Sequence, residues 1–160
     1  MPEFETIIGR YFTMQVAGKS CRIYVEEAGE GIPLVCLHTA GSDARQYRHL
    51  LCDKAITDNY RVIAFDMPWH GKSNPPAGFR EAEYKLTTDL YKETVMAFCC
   101  AYELVEPVVM GCSMGGRVVL HLALELNFFA GAVDGSKPSC LKLGAHLGEL
   151  ELKCFLVSNL

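Results

Sequence analysis

The amino-acid sequence predicts an α/β fold, built as a mostly parallel sheet with helices on both faces. Two observations predict it. The runs 33–37 and 61–65 are almost continuously apolar, which is typical of strands that are covered on both faces. Such runs alternate with segments of helical periodicity, and this alternation builds parallel sheets. Because 50% of the 160 residues are hydrophobic, the chain has enough apolar surface to bury a core.

Four strands and a helix are predicted in the first half of the chain. Strand-like runs at 11–16 and 22–27 flank a turn with a glycine, so the chain begins with an antiparallel hairpin. The buried strand 33–37 leads into a polar loop and then a helix over 45–52. The buried strand 61–65 ends in a second polar loop.

The second half continues the alternation. Apolar residues recur every three to five positions over 83–104, which predicts a long amphipathic helix. It leads into a strand at 107–112 and a helix at 116–126, and the run 128–133 is a candidate sixth strand. In sheets of this kind, ligand sites lie beyond the carboxyl ends of the strands. The polar loops that follow three of the strands are therefore the candidate site.

One of these loops matches the pattern GxSxG. The segment 107–116 reads PVVMGCSMGG, so that Ser113 lies between a strand and a helix. Gly111 and Gly115 suit this turn because a Cβ at either position would collide with the neighbouring strand or helix. We expect the Ser113 hydroxyl to stand clear of the sheet as a nucleophile does. The alternative is an ordinary turn that uses Gly and Ser for conformation and capping.

Three loops together resemble motifs of the α/β-hydrolase fold family. The sequences are HTAG at 38–41, DMPWHGKS at 66–73 and GCSMGG at 111–116. They resemble the HGxx oxyanion loop, the DxPGHGxS loop and the nucleophile elbow, in the family's order. The resemblance covers about 11–132 and implies the N-terminal half to two-thirds of that fold. Thr39 and Trp69 replace glycines of the family pattern.

The resemblance implies a role for several residues. Ser113 would be the nucleophile, and the backbone amides of Ala40 and Met114 would form the oxyanion hole, where they can face the charge of a tetrahedral intermediate. His38 and His70 would be structural rather than catalytic.

The rest of a catalytic triad should follow the serine in chain order. Asp134 follows the candidate sixth strand and is a candidate acid, although an Asp before Gly is also a common turn. His146 is the one histidine after Asp134 and is the candidate base. We expect a core domain at 1–133, incomplete for the family, and a divergent tail at 134–160 of a truncated or alternatively ended product.

Charge and motifs limit the partners. A net charge of -4 gives no electrostatic case for nucleic acid, and no apolar run is long enough for a membrane span. We expect no cofactor and no metal. The segment 66–73 resembles the phosphate-binding pattern GxxxxGKS only at its end, because Asp66 stands in place of the first glycine. The eight cysteines lie mostly in apolar runs and are expected to be reduced, as in a cytoplasmic protein.

Two classes of function remain open. The first is a serine hydrolase of small ester-like or related acyl substrates. The second is a catalytically inactive remnant that acts only by binding a partner. If the last strands are absent, an uncovered sheet edge offers a surface for self-association unless the tail or a partner covers it.

Overall fold

The computed structural model describes residues 4–81 and 83–129, and its centre is one mixed sheet. The five strands are β1 Ile8–Val16, β2 Lys19–Ala28, β3 Ile32–Leu37, β4 Tyr60–Phe65 and β5 Val108–Gly111. Their order in the sheet is β1-β2-β4-β3-β5. The predicted hairpin is antiparallel, β2 also pairs antiparallel with β4, and β3 pairs parallel with both β4 and β5. The predicted α/β class is confirmed.

The helices lie between the strands but differ from the predictions in their bounds. A 3-10 turn precedes four α-helices, α1 to α4 in chain order: Ala44–Tyr47, then Arg48–Cys52, Lys54–Thr57, Thr88–Ala101 and Met114–Phe129. The helix predicted at 45–52 is therefore split between the 3-10 turn and α1. The Asp43 side chain caps that turn by accepting from the Arg45 N–H at 3.0 Å, which favours a tight first turn.

The helix predicted from 83 begins only at Thr88 in α3. The Thr87 side chain accepts a hydrogen bond from the Leu90 N–H at 3.1 Å, so Thr87 is the N-cap. Leu86 packs against the core although it lies outside the helix. The apolar period of the sequence therefore extends beyond the helical segment.

The strand predicted at 128–133 is wrong at its first two residues. Phe128 and Phe129 end α4, and the positions 130–133 lie outside the described residues. The segment 116–129 contains no proline and after Gly116 no glycine, and its Leu, Ala and Glu residues favour a continued helix. A short apolar run does not by itself distinguish helix from strand.

Each face of the sheet carries its own core. On one face, residues such as Val35, Ile63 and Phe65 pack with α3 and α4. On the other, neighbouring strand residues such as Cys36 and Ala64 pack with the 3-10 turn and α1. Successive strand residues point to opposite faces, so continuously apolar strands supply both cores.

The cysteines only partly follow the expectation. The free thiols among the described residues are Cys21, Cys36, Cys52, Cys99 and Cys112. Cys100 is disulfide-bonded, so the expectation of reduced cysteines is wrong at this position. Sequence spacing does not reveal which cysteines a fold brings together. Across the described residues, no helix combines the length and hydropathy needed to cross a membrane.

Candidate active site

Ser113 lies in a two-residue turn between β5 and α4. Its φ is +52°, in the left-handed region that non-glycine residues rarely adopt. The Gly115 N–H donates to the Cys112 carbonyl at 3.0 Å, and the Arg117 N–H donates to the Ser113 carbonyl at 2.9 Å. These bonds stabilise the turn, and Ser113 is exposed. The hydroxyl therefore stands clear of the core.

The two glycines of the motif permit close packing around this turn. A Cβ added to Gly111 would meet the Gly115 carbonyl carbon and lie 2.8 Å from the Gly116 nitrogen. A Cβ added to Gly115 would meet the Leu37 carbonyl oxygen and lie 2.8 Å from its carbon. The steric reason expected for both glycines is confirmed. As a result, the first turn of α4 rests directly on the end of β3.

The end of β3 brings the loop at 38–41 to the elbow. The Leu37 carbonyl accepts hydrogen bonds from the Cys112 N–H at 3.4 Å and from the Tyr47 hydroxyl at 2.6 Å. The loop begins at the next residue. The Ser42 N–H donates to the Thr39 carbonyl at 3.2 Å, which closes a tight turn around Ala40.

The glycine position of the HGxx pattern is occupied here by Thr39. Its N–H donates to the Gln46 side-chain oxygen at 2.9 Å, so the 3-10 turn holds the loop. Ala40 follows as an exposed residue. The loop is thereby fixed by a long side chain that the sequence motif does not include.

His38 is buried, with both ring nitrogens in use. Its Nε2 accepts from the Met67 N–H at 3.1 Å, so its Nδ1 carries the proton and donates to the Thr39 carbonyl at 2.8 Å. Burial lowers the pKa of His38, which keeps the ring neutral. His70 lies beside it at a ring-centroid distance of 5.1 Å, and its Nδ1 is 3.1 Å from the Pro68 carbonyl oxygen. The structural role expected for His38 is confirmed.

Asp66 joins the loop after β4 to the loop after β3. Its carboxylate accepts from the Ala44 N–H and from the Lys72 N–H, each at 2.7 Å. Burial raises the pKa of Asp66, and these two amide bonds oppose that rise. A Cβ at Gly71 would meet the Asp66 carboxylate, so the glycine allows the chain to wrap around it. Asp66 is a structural carboxylate.

A shallow cavity of about 370 Å³ opens over the loop after β3. The residues that line it are Gly41, Ser42, Asp43, Arg45, Gln46 and Arg48. The Arg45 guanidinium bonds Asp43 at 2.6 Å and 2.8 Å and lowers the pKa of that carboxyl. Across residues 4–81 and 83–129, no group of three His, Cys, Asp or Glu side chains could hold a metal ion.

Some of the predicted site lies together and some lies elsewhere. The structure brings the Ser113 turn and the loop that contains Ala40 to the same end of the sheet. Asp134 and His146 lie outside the described residues, so their roles remain predictions. His121 lies within α4, as expected.

Sequence reasoning missed the side chains that hold the loops. The Tyr91 hydroxyl of α3 donates to the His38 carbonyl at 3.0 Å, and Tyr47 and Gln46 hold the neighbouring residues. These partners lie up to 53 positions apart, so no local pattern indicates them. The backbone conformation of Trp69 did have a sequence signal. Trp69 replaces a glycine of the family pattern, and its φ of +70° lies in the region that glycine favours.

Curated relatives match part of the chain. It is 34% identical over 110 residues to the dihydrolipoyllysine-residue acetyltransferase component of the acetoin cleaving system of Pseudomonas putida, covering 68% of this chain and 27% of that protein. It is 28% identical over 132 residues to the 2-hydroxy-6-oxononadienedioate/2-hydroxy-6-oxononatrienedioate hydrolase of Escherichia coli, covering 79% and 43%. The chain thus spans less than half the length of these relatives.

Solved structures share the fold. An N-acyl homoserine lactonase, AidH, complexed with N-butanoyl homoserine superposes with a TM-score of 0.60 at 26% identity, covering 72% of this chain and 40% of that one. An epoxide hydrolase from Vigna radiata gives 0.58 at 21% identity, covering 72% and 35%.

The family comparison agrees with the architecture. The model of the Alpha/beta hydrolase family matches residues 34–149. The match includes most of β3, all of β4 and β5, the three loops of the candidate site and 16 positions of the segment expected as a divergent tail. With more than half of its residues matched and the strand order described above, this chain belongs to the alpha/beta hydrolase family.

Proposed function

We propose that this chain is a serine hydrolase of small ester-like or related acyl compounds, with Ser113 as the nucleophile. The observation that carries the proposal is the conformation of Ser113, an exposed residue with a φ of +52° between β5 and α4. A left-handed non-glycine residue costs about 1–2 kcal/mol, and such strain is concentrated at functional sites. The lactonase and the Escherichia coli hydrolase named above support hydrolysis of a small molecule.

The backbone amides of Ala40 and Met114 are proposed as the oxyanion hole. Among the bonds of the described residues, neither N–H donates to an acceptor within the chain. Met114 is the first residue of α4, and helix N-termini favour negative charge. Ala40 lies in the loop that starts beside the elbow. Both amides could stabilise the oxyanion that forms when Ser113 attacks a carbonyl.

The reaction has two steps. Ser113 Oγ attacks the acyl carbon, the leaving group departs with a proton, and water then releases the acyl group from the serine. A base must accept the serine proton. Asp134 and His146 are proposed for the acid and the base, as the family order predicts.

The alternative is an inactive binding protein. One observation favours it: both ring nitrogens of the buried His38, which begins the loop beside the elbow, are already bonded, so this histidine is not free to act as the base. Without a base, a serine hydroxyl is a poor nucleophile.

A fluorophosphonate probe on the full chain distinguishes the two functions. We expect covalent labelling of the wild type, loss of labelling in Ser113→Ala, and unchanged labelling in Ser42→Ala, which removes a nearby serine. Ala40→Pro removes one proposed oxyanion amide and should slow labelling by about 100-fold, with the melting temperature as a check of the fold. An unlabelled wild type would favour the binding protein.

A further inference from the structure

A cavity of about 190 Å³ lies beside the tip of the β1-β2 hairpin, near the carboxyl end of β4. Most of its wall is apolar or aromatic, with Val16, Cys21, Trp69, Phe79, Tyr84 and Leu90 as the main side chains. None of its lining residues belongs to the loop at 38–43 or to the elbow at 111–116. We call it the Trp69 cavity, and the proposed reaction at Ser113 does not use it.

Trp69 adopts an unfavourable backbone conformation in the wall of this cavity. Its φ is +70°, a left-handed value that is unfavourable for a residue with a Cβ. The indole packs edge-on to Phe79 at 5.2 Å and tilted to Tyr84 at 5.0 Å, measured between ring centroids. The Tyr84 hydroxyl donates to the Pro68 carbonyl at 3.1 Å. Strain that places a large ring at a cavity is an indication of a binding function.

Charged groups at the cavity are unequally paired. Lys85 forms an ion pair with Glu83 at 3.1 Å. Lys19, which also lines the cavity, forms no ion pair with any described residue. The Glu93 carboxylate also lies at the hairpin tip, where it accepts from the Ala17 N–H at 2.7 Å. The exposed Lys19 ammonium thus lies beside the ring-lined space without an ion-pair partner among the described residues.

We propose that the Trp69 cavity binds a small aromatic compound with a single carboxylate, its ring against Trp69 and its carboxylate toward Lys19. The volume of about 190 Å³ is below the range of about 300–1,000 Å³ usual for drug-sized ligands, which favours a single ring. Stacked or edge-to-face rings contribute beyond buried area. The site is independent of catalysis at Ser113.

Benzoate is the probe that tests this, with the full chain and ligand-observed NMR. Trp69 is the one tryptophan in the sequence, so saturable quenching of its fluorescence by benzoate locates binding at the cavity. Trp69→Gly suits a positive φ and should melt no lower than the wild type, yet we expect it to bind benzoate about tenfold more weakly. Trp69→Phe, which keeps a ring, should bind within about threefold of the wild type.

The charge is tested separately. Lys19→Gln should weaken benzoate binding by about fivefold and leave binding of benzyl alcohol, the uncharged analogue, unchanged. Lys54→Gln, on α2, is the matched control and should bind benzoate normally. Ser113→Ala should also bind normally, so failure of the hydrolase proposal would not affect this result. The proposal is overturned by unsaturable quenching, by full binding in Trp69→Gly or by unchanged benzoate binding in Lys19→Gln.

Discussion

The two parallel strands β4 and β5 are both apolar, but they lie in unlike surroundings. In β4, the last four residues are completely buried between β2 and β3. In β5, Val108, Val109 and Met110 are only half-buried, and among the described strands β5 pairs with β3 alone. Two strands with similar apolar sequences therefore differ in burial: β4 lies in the core, whereas β5 lies at the edge of the described sheet.

The β4 side contains the strongest packing and a bonded carboxylate. Phe98 of α3 stacks on Phe65 at a centroid distance of 4.1 Å. Nearby, the buried Glu27 accepts from the Arg61 Nε at 2.8 Å and from the Tyr102 hydroxyl at 3.2 Å. Buried charges are stable when they are paired in this way.

The β5 side contains the proposed nucleophile and uncovered apolar surface. Val105, before the strand, is 75% exposed, and Leu120 and Leu124 of α4 are 45% and 68% exposed. The side that stabilises the sheet is therefore not the side that presents Ser113. Substitutions on the two sides should separate stability from labelling.

The largest effect on stability is expected from Phe98→Ala. Phe98 is fully buried and contacts three aromatic rings, so its removal should lower the free energy of unfolding by about 3–5 kcal/mol. Val105→Ala, the control on the β5 side, should change it by less than about 0.5 kcal/mol. Urea unfolding measures both. Similar losses for the two variants would contradict the division of the sheet.

Gly115→Ala tests the junction between β3 and the elbow. The new Cβ would meet the Leu37 carbonyl, and such overpacking costs about 1–3 kcal/mol. Gly116→Ala is the milder comparison, because its Cβ would lie 3.0 Å from the Gly111 oxygen. We expect Gly115→Ala to melt lower and to react more slowly with the fluorophosphonate probe. Equal melting temperatures of Gly115→Ala and Gly116→Ala would show that the close contact between Gly115 and Leu37 does not determine stability.

The pH dependence of stability tests the buried ring of His38. Burial lowers its pKa below the usual 6.5, so the unfolded chain binds a proton first as the pH falls. Stability is then lost as the pH drops below 6.5, by at most about 0.8 kcal/mol between pH 7.5 and 6. The raised pKa of Asp66 acts in the opposite direction, but at more acidic pH.

Melting temperatures at the two pH values measure this effect. The wild type should melt lower at pH 6 than at pH 7.5, by at most about 2–3 °C. His38→Gln should melt lower at both values and lose most of the difference, whereas His121→Gln, which changes a half-buried histidine of α4, should keep it. If the melting temperature of His38→Gln fell between pH 7.5 and pH 6 as much as that of the wild type, another titrating group would cause the effect.

The sequence predicted the fold well because its signals are local. Apolar strands, the hairpin and the GxSxG turn each depend on neighbouring residues, and the structure confirms them. The start of α3 was mispredicted because Leu86 packs on the core from a loop and so extends the helical period. The support of the Thr39 loop by Gln46 and the positive φ of Trp69 depend on tertiary contacts, which a single sequence does not encode in a readable pattern.

The smallest effect on stability, and the sharpest test of the uncovered side, is expected from Leu124→Gln. Leu124 is 68% exposed, so the free energy of unfolding should change by less than about 0.5 kcal/mol. We still expect self-association through the β5 and α4 surface, since exposed apolar patches and sheet edges promote it. Light scattering should therefore show less association for Leu124→Gln than for the wild type.

Met96→Gln is the matched control for that change, because Met96 is a 39% exposed apolar residue of α3. Although α3 shares a face of the sheet with α4, it packs against β1, at the opposite edge from β5. Met96→Gln should associate as the wild type does. A wild type that is monomeric at every concentration would contradict self-association. Equal reductions in both variants would mean that general surface hydrophobicity, rather than the β5 side, drives it.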